Sequence, residues 1–75
     1  MAAKQLDGHP GDRIGDLRTN LGMTKKELSQ KTGIDASQIT RIENGSLKTI
    51  SIYYLIKLSK ELKTSTDYIL GLTPV

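Results

Sequence analysis

Two helix-start signals stand close together in the middle of the chain, with a glycine between them. The first, Thr24-Lys25-Lys26-Glu27, has the spacing of a capping box. The Thr24 hydroxyl can accept from the Glu27 amide while the Glu27 carboxylate reaches back to the Thr24 amide. Leu28, Ser29 and Thr32 then supply an inner face, and Gly33 ends the helix in the left-handed conformation that glycine adopts cheaply. The second signal, Asp35-Ala36-Ser37-Gln38, can cap a further helix with Ile39 and Ile42 as its apolar positions, stopping at Asn44-Gly45. The pattern predicts two short helices meeting at a glycine turn.

The flanking sequence is also helical in period. Pro10 suits a first helical position, Ile14, Leu17 and Leu21 recur on one face, and Gly22 stops a helix over residues 10–21. After a loop over residues 46–50, Ser51 caps a fourth helix whose apolar positions are Ile52, Leu55, Ile56, Leu58 and Leu62, with Ser59 inside that arc to permit close packing. Ser65 caps a short fifth helix through Leu70, with Asp67 in its first turn favourable to the helix dipole and Gly71 and Pro74 closing it. No segment alternates with period two. The expectation is an all-α domain of five helices over residues 10–72, preceded by a flexible arm over 1–9 and followed by a short tail over 73–75.

Composition narrows the chemistry. The 75 residues allow one domain, and a chain of this size buries only about 60% of its unfolded surface, which argues against a large active-site cavity. There is no cysteine, so disulfides, thiol nucleophiles and cysteine-bearing zinc sites lack their parts, and with a single histidine, His9, neither a His cluster nor a Ser-His-Asp set is expected. The expectation is a protein that is not an enzyme, with no metal and no cofactor. No apolar run approaches the roughly 18 residues of a membrane span, and the N-terminus lacks the apolar stretch of a secretory signal, so a cytoplasmic protein without membrane contact is expected. Lysine and arginine outnumber acidic residues 11 to 8, a net charge of +3, which makes a polyanion the partner to test. Three tyrosines without Phe or Trp argue against a stacking platform for single strands.

On a helical wheel the third helix turns Ile39 and Ile42 to one side and Ala36, Ser37, Thr40, Arg41 and Asn44 to the other. The outer face is small and polar, so it can approach a base-pair edge closely while Arg41 offers two donors to a guanine in the major groove. Any solvent-facing helix side is polar, and the face alone carries little weight. Its neighbours add to it: Lys25 and Lys26 open the second helix, where free amides already favour an anion, and Lys48 follows the third helix, so basic residues flank the face where phosphates would lie. Lys31, Lys57, Lys60 and Lys63 read as solvated charges. For Gln38 two roles stand side by side, a side chain folded back on Asp35 or one reaching DNA.

Residues 11–70 resemble the helix-turn-helix family of phage Cro and repressor proteins and their bacterial relatives. The likeness runs through Gly11-Asp12-Arg13-Ile14-Gly15-Asp16-Leu17-Arg18, Thr24-Lys25-Lys26-Glu27-Leu28-Ser29, Gly33-Ile34 and Ile39-Thr40-Arg41-Ile42-Glu43-Asn44-Gly45, with a weaker match over Leu58-Ser59-Lys60-Glu61-Leu62 and Ser65-Thr66-Asp67-Tyr68-Ile69-Leu70-Gly71. The resemblance implies a compact lambda-repressor-like fold whose third helix enters the major groove of double-stranded DNA, and dimers on two half-sites about one helical turn apart. It places Lys25 where the family often has a glutamine touching backbone and bases, Ala36, Ser37 and Arg41 at base-facing positions, and Thr40 and Asn44 near phosphate or sugar. Ser29 departs from the usual alanine and Ile50 from a common proline, and the loop over 46–50 is one residue longer than usual, which leaves the role of Lys48 open.

Arg18 and Glu43 each lie about 70° from the centre of their helix's apolar arc, so both border the core. Geometry would let Arg13 compete for Glu43. The resemblance favours Arg18, as an ion pair setting the first helix against the third. In the tail, Tyr68, Ile69, Leu70 and Leu72 are more apolar surface than one short helix can bury, and Tyr53, Thr66, Tyr68 and Leu72 are the candidate residues of a two-fold homodimer contact. Together these readings predict a transcriptional regulator, a repressor of phage, mobile-element or restriction–modification controller type. The alternative is an antitoxin-like interaction protein with an unidentified protein partner, for which only residues 1–9 and 71–75 are available as an extra binding segment.

Overall fold

A computed structural model describes residues 9–47 and 49–72. Five α-helices are found among them: α1 Pro10–Asn20, α2 Lys25–Thr32, α3 Ala36–Glu43, α4 Ile52–Glu61 and α5 Thr66–Leu70. The arm over 1–8, Lys48 and the tail over 73–75 lie outside the described residues. His9, assigned by sequence to the arm, is the N-cap residue of α1, with Pro10 in the first turn.

The helix starts follow the local chemistry. The hydroxyls of Thr24, Ser51 and Ser65 accept from the amides of Glu27, Tyr54 and Tyr68 at 3.0, 3.0 and 3.1 Å, so three of the five helices have a side-chain cap on an otherwise orphaned donor. At Thr24 the box is complete, since its own amide donates to Glu27 Oε1 at 2.8 Å. Those bonds from Thr24 hold the Glu27 carboxyl below the usual carboxylate range. The expected cap at Asp35 does not form. Its carboxylate accepts the Ser37 hydroxyl at 2.8 Å, a closer competitor than the Gln38 amide, which instead donates to the Asp35 carbonyl at 2.9 Å.

The helices enclose one core of Ile14, Leu28, Ile34, Ile39, Ile42, Leu58, Leu62 and Ile69. Leu17, Met23, Leu47, Ile50, Tyr54 and Leu55 pack around it. Ser59 is buried and its hydroxyl donates to the Ile56 carbonyl at 2.9 Å. Two residues assigned to the inner arc of α4 lie outside it: Ile52 is 75% and Ile56 43% exposed. Leu55, Leu58 and Leu62 already fill the inner side of α4, and Ile52 and Ile56 fall on the flank beside Tyr53. Leu21, the C-cap residue of α1, is also exposed.

Candidate nucleic-acid interface

The turn between α2 and α3 is built by three residues. Gly33 takes a left-handed conformation (φ 76°), Ile34 enters the core, and the buried Thr32 hydroxyl donates to the Leu28 carbonyl at 2.8 Å and accepts from the Ile34 amide at 3.1 Å. With the turn fixed in this way, α3 leaves α2 in one direction. Ile39 and Ile42 point inward, while Ala36, Ser37, Arg41 and Asn44 are exposed and Gln38 and Thr40 are half-buried. The stripe is open to solvent.

Its members differ in what they have left to offer. Arg41 is exposed, and its guanidinium carries five donors. Ser37 is engaged by Asp35, and Asn44 accepts from the Ser46 amide through Oδ1 at 2.9 Å, which shapes the turn after α3 and leaves the Asn44 amino group to donate. Gln38 does not fold back as a cap: its Oε1 is shielded from solvent and has no hydrogen-bond partner. At the start of α2, Lys25 is half-buried and Lys26 exposed.

The orientation of α3 is held from α1. Arg18 donates through Nε and Nη2 to the two oxygens of Glu43, at 2.7 and 3.1 Å, and through Nη1 to the Met23 carbonyl at 2.8 Å. Both side chains are largely covered, 16% and 11% exposed. The bonds to Glu43 outweigh the effect of burial and raise the Arg18 pKa, so the guanidinium stays charged at every pH at which the protein would be studied. Arg13 faces elsewhere: it is buried, and its Nη1 donates to the Ile69 carbonyl at 3.4 Å.

Sequence reasoning missed a second element of the same contact. A Cβ on Gly11 would lie 1.9 Å from the Ile42 carbonyl oxygen and 2.9 Å from Glu43 Cα, and one on Gly15 would lie 3.4 Å from Glu43 Oε1. The backbone of α1 therefore runs directly against the end of α3. The available signal was a pair of glycines four residues apart inside a helix, where each costs about 1 kcal/mol relative to alanine unless packing requires it.

On the assembly side, Tyr53 is 63% and Leu72 71% exposed, whereas Thr66 and Tyr68 are half-buried. Ile52, Ile56 and Leu70 add exposed apolar surface. Lys57, read as a solvated charge, places its ammonium 5.4 Å from the centre of the Tyr53 ring. Among the described residues no helix is long and apolar enough to cross a membrane, and no three His, Asp or Glu side chains gather as a metal site.

Comparison with solved structures finds the same arrangement. A chain of the SinR protein–SinI protein complex superposes with a TM-score of 0.78 at 33% identity; the match covers 80% of the present chain and 58% of the other. SinR, described as a master regulator for biofilm formation and solved in complex with DNA, matches at 0.77 and 32% over 80% and 95% of the two chains. The P22 c2 repressor, solved with a synthetic operator, matches at 0.79 and 28% over 85% and 96%. A helix-turn-helix family model matches residues 14–69. With that match spanning most of the chain, and α2, the Gly33 turn and α3 forming the motif itself, the protein belongs to the Cro/C1-type helix-turn-helix family.

Proposed function

We propose that this chain is a sequence-specific regulator of transcription, a repressor that occupies a pseudo-palindromic operator as a homodimer. The observation that carries the reading is the open outer stripe of α3, held by a fixed turn next to the basic amino end of α2. In this reading Arg41 donates to a guanine edge, Ala36 allows close approach, and Ser37 exchanges its Asp35 partner for a base. Lys25 and Lys26 hold phosphate, joined by Thr40, Asn44, Gln38 and Lys48 at the margins of the groove. Similar structures solved with DNA support it. The decisive experiment is selection of bound duplexes from a random pool at stated salt. It should return a two-fold symmetric motif with half-sites about one helical turn apart, and a pool without enrichment would end the proposal.

Two substitutions separate the roles. Arg41→Ala should weaken binding to the selected duplex by about 1–3 kcal/mol and relax the preference at one base position, whereas Lys25→Ala should weaken all duplexes alike and lower the salt slope by about one unit. Anisotropy titrations on matched and mismatched duplexes at several salt concentrations distinguish the two, and an Arg41 variant with unchanged preference would remove that residue from base reading.

Dimerisation is assigned to Tyr53, Thr66, Tyr68 and Leu72, with Ile52, Ile56 and Leu70 extending the apolar surface. Tyr68→Asp should weaken self-association by about tenfold or more. Sedimentation showing the unmodified protein monomeric even on its duplex would defeat the assignment. A second reading, an antitoxin-like interaction protein, draws on the SinR–SinI complex, a similar fold solved with a protein partner. Co-purification of a second small protein that occludes the exposed apolar residues would favour it. The controlling setting, whether phage, mobile element or restriction–modification operon, follows from the selected motif and its genomic neighbours.

A further inference from the structure

α5 spans only Thr66–Leu70, too short to hold a direction through its own hydrogen bonds. Two anchors fix it. Ile69 is fully buried in the core, and Arg13 of α1 reaches to the end of the helix. The Arg13 side chain is buried, its Nη1 donates to the Ile69 carbonyl at 3.4 Å, and a Cβ on Gly71 would fall 2.6 Å from its Nη2. The guanidinium thus lies against the last turn of α5, where carbonyl oxygens lack helical partners.

A buried cation carries a desolvation cost that an apolar side chain of similar length would avoid. What arginine adds is a planar guanidinium that meets this segment at two points, the Ile69 carbonyl and the open face of Gly71. Its position on α1 matters as much. Gly11, Gly15 and Arg18, which meet α3, lie within about 60° of one another around the helix, and Arg13 lies on nearly the opposite side. One helix therefore holds the reading element by one face and the assembly element by the other.

We infer that Arg13 is a positioning residue that fixes how α5 presents Tyr68, Leu70 and Leu72, and so sets the separation of the two reading helices across a dimer. The inference rests on the dimeric DNA-binding reading above. Its test uses Arg13→Lys and Arg13→Met in the full chain, bound to a single half-site duplex, to the selected palindrome, and to that palindrome with one base pair inserted at its centre. Half-site affinity should stay within about twofold, palindrome affinity should fall about tenfold, in the range of ordinary coupling between sites, and the penalty for the inserted pair should shrink. Equal losses on half-site and palindrome, or loss of the folded state in both variants as seen by circular dichroism, make Arg13 a residue of folding alone and overturn the inference. An unmodified protein with no preference for palindrome over half-site removes the dimeric reading itself. An unmodified protein with that preference, matched by folded variants that keep it, removes only the role of Arg13.

Discussion

Replacing Gly11 with alanine should unfold the domain or bring it close to unfolding, at a cost of about 3–5 kcal/mol. A single methyl group has this effect because of what it meets: backbone, 1.9 Å from the Ile42 carbonyl oxygen and 2.9 Å from Glu43 Cα. A flexible side chain could swing away, but neither of these atoms can move without lifting α1 from α3. For a chain of this size the whole folding free energy is of the order of 5–10 kcal/mol, so the loss is a large part of it. Thermal unfolding followed by circular dichroism should show the midpoint fall by roughly 15–30 °C. Gly15→Ala is the internal control, since its Cβ would make ordinary contact with Glu43 and gain helix propensity, leaving the midpoint unchanged or slightly raised. Similar behaviour of the two variants would show that the close approach at Gly11 does not govern stability.

Glu43→Ala should cost about 3 kcal/mol, because it strands the Arg18 guanidinium in a mostly covered site with one of its three hydrogen bonds left, that to the Met23 carbonyl. The paired change Arg18→Met with Glu43→Leu should recover most of that stability, as apolar replacement of a buried ion pair often does. Recovery of DNA selectivity should not follow. The guanidinium–carboxylate fork fixes the angle between α1 and α3, and an apolar pair does not. Chemical denaturation of the three variants beside titrations on matched and mismatched duplexes checks both halves. A double variant as selective as the unmodified protein would reduce the ion pair to a stability role.

The short-range features of this chain were legible from its letters. Thr24, Ser51 and Ser65 cap where their hydroxyls precede a helical period, and Gly33 and Gly71 close helices with positive φ. All of these depend on atoms within four residues of one another. The Asp35-to-Gln38 pattern looked the same in sequence, yet Ser37 lay nearer to the carboxylate and took it. Ile52 and Ile56 mark another limit, because periodicity registers apolar spacing without saying whether the apolar side faces a core or the exterior. The partners of Arg13 and Gly11 lie at α5 and α3, and helical period carries no information about contacts between elements so far apart along the chain.

The fixed contacts of α3 with α1 gather at its carboxyl-terminal end, at Ile42 and Glu43, while Ala36 and Ser37 project at the other. An eight-residue helix is about 12 Å long, and its amino end is held by the Gly33 turn, so its direction is set by two attachments a helix length apart. A change of about 5° in that direction displaces one end relative to the other by about 1 Å, a third of a hydrogen-bond length. Remote changes beneath Glu43 would then surface as altered nucleotide discrimination, without any group at the amino end having been touched.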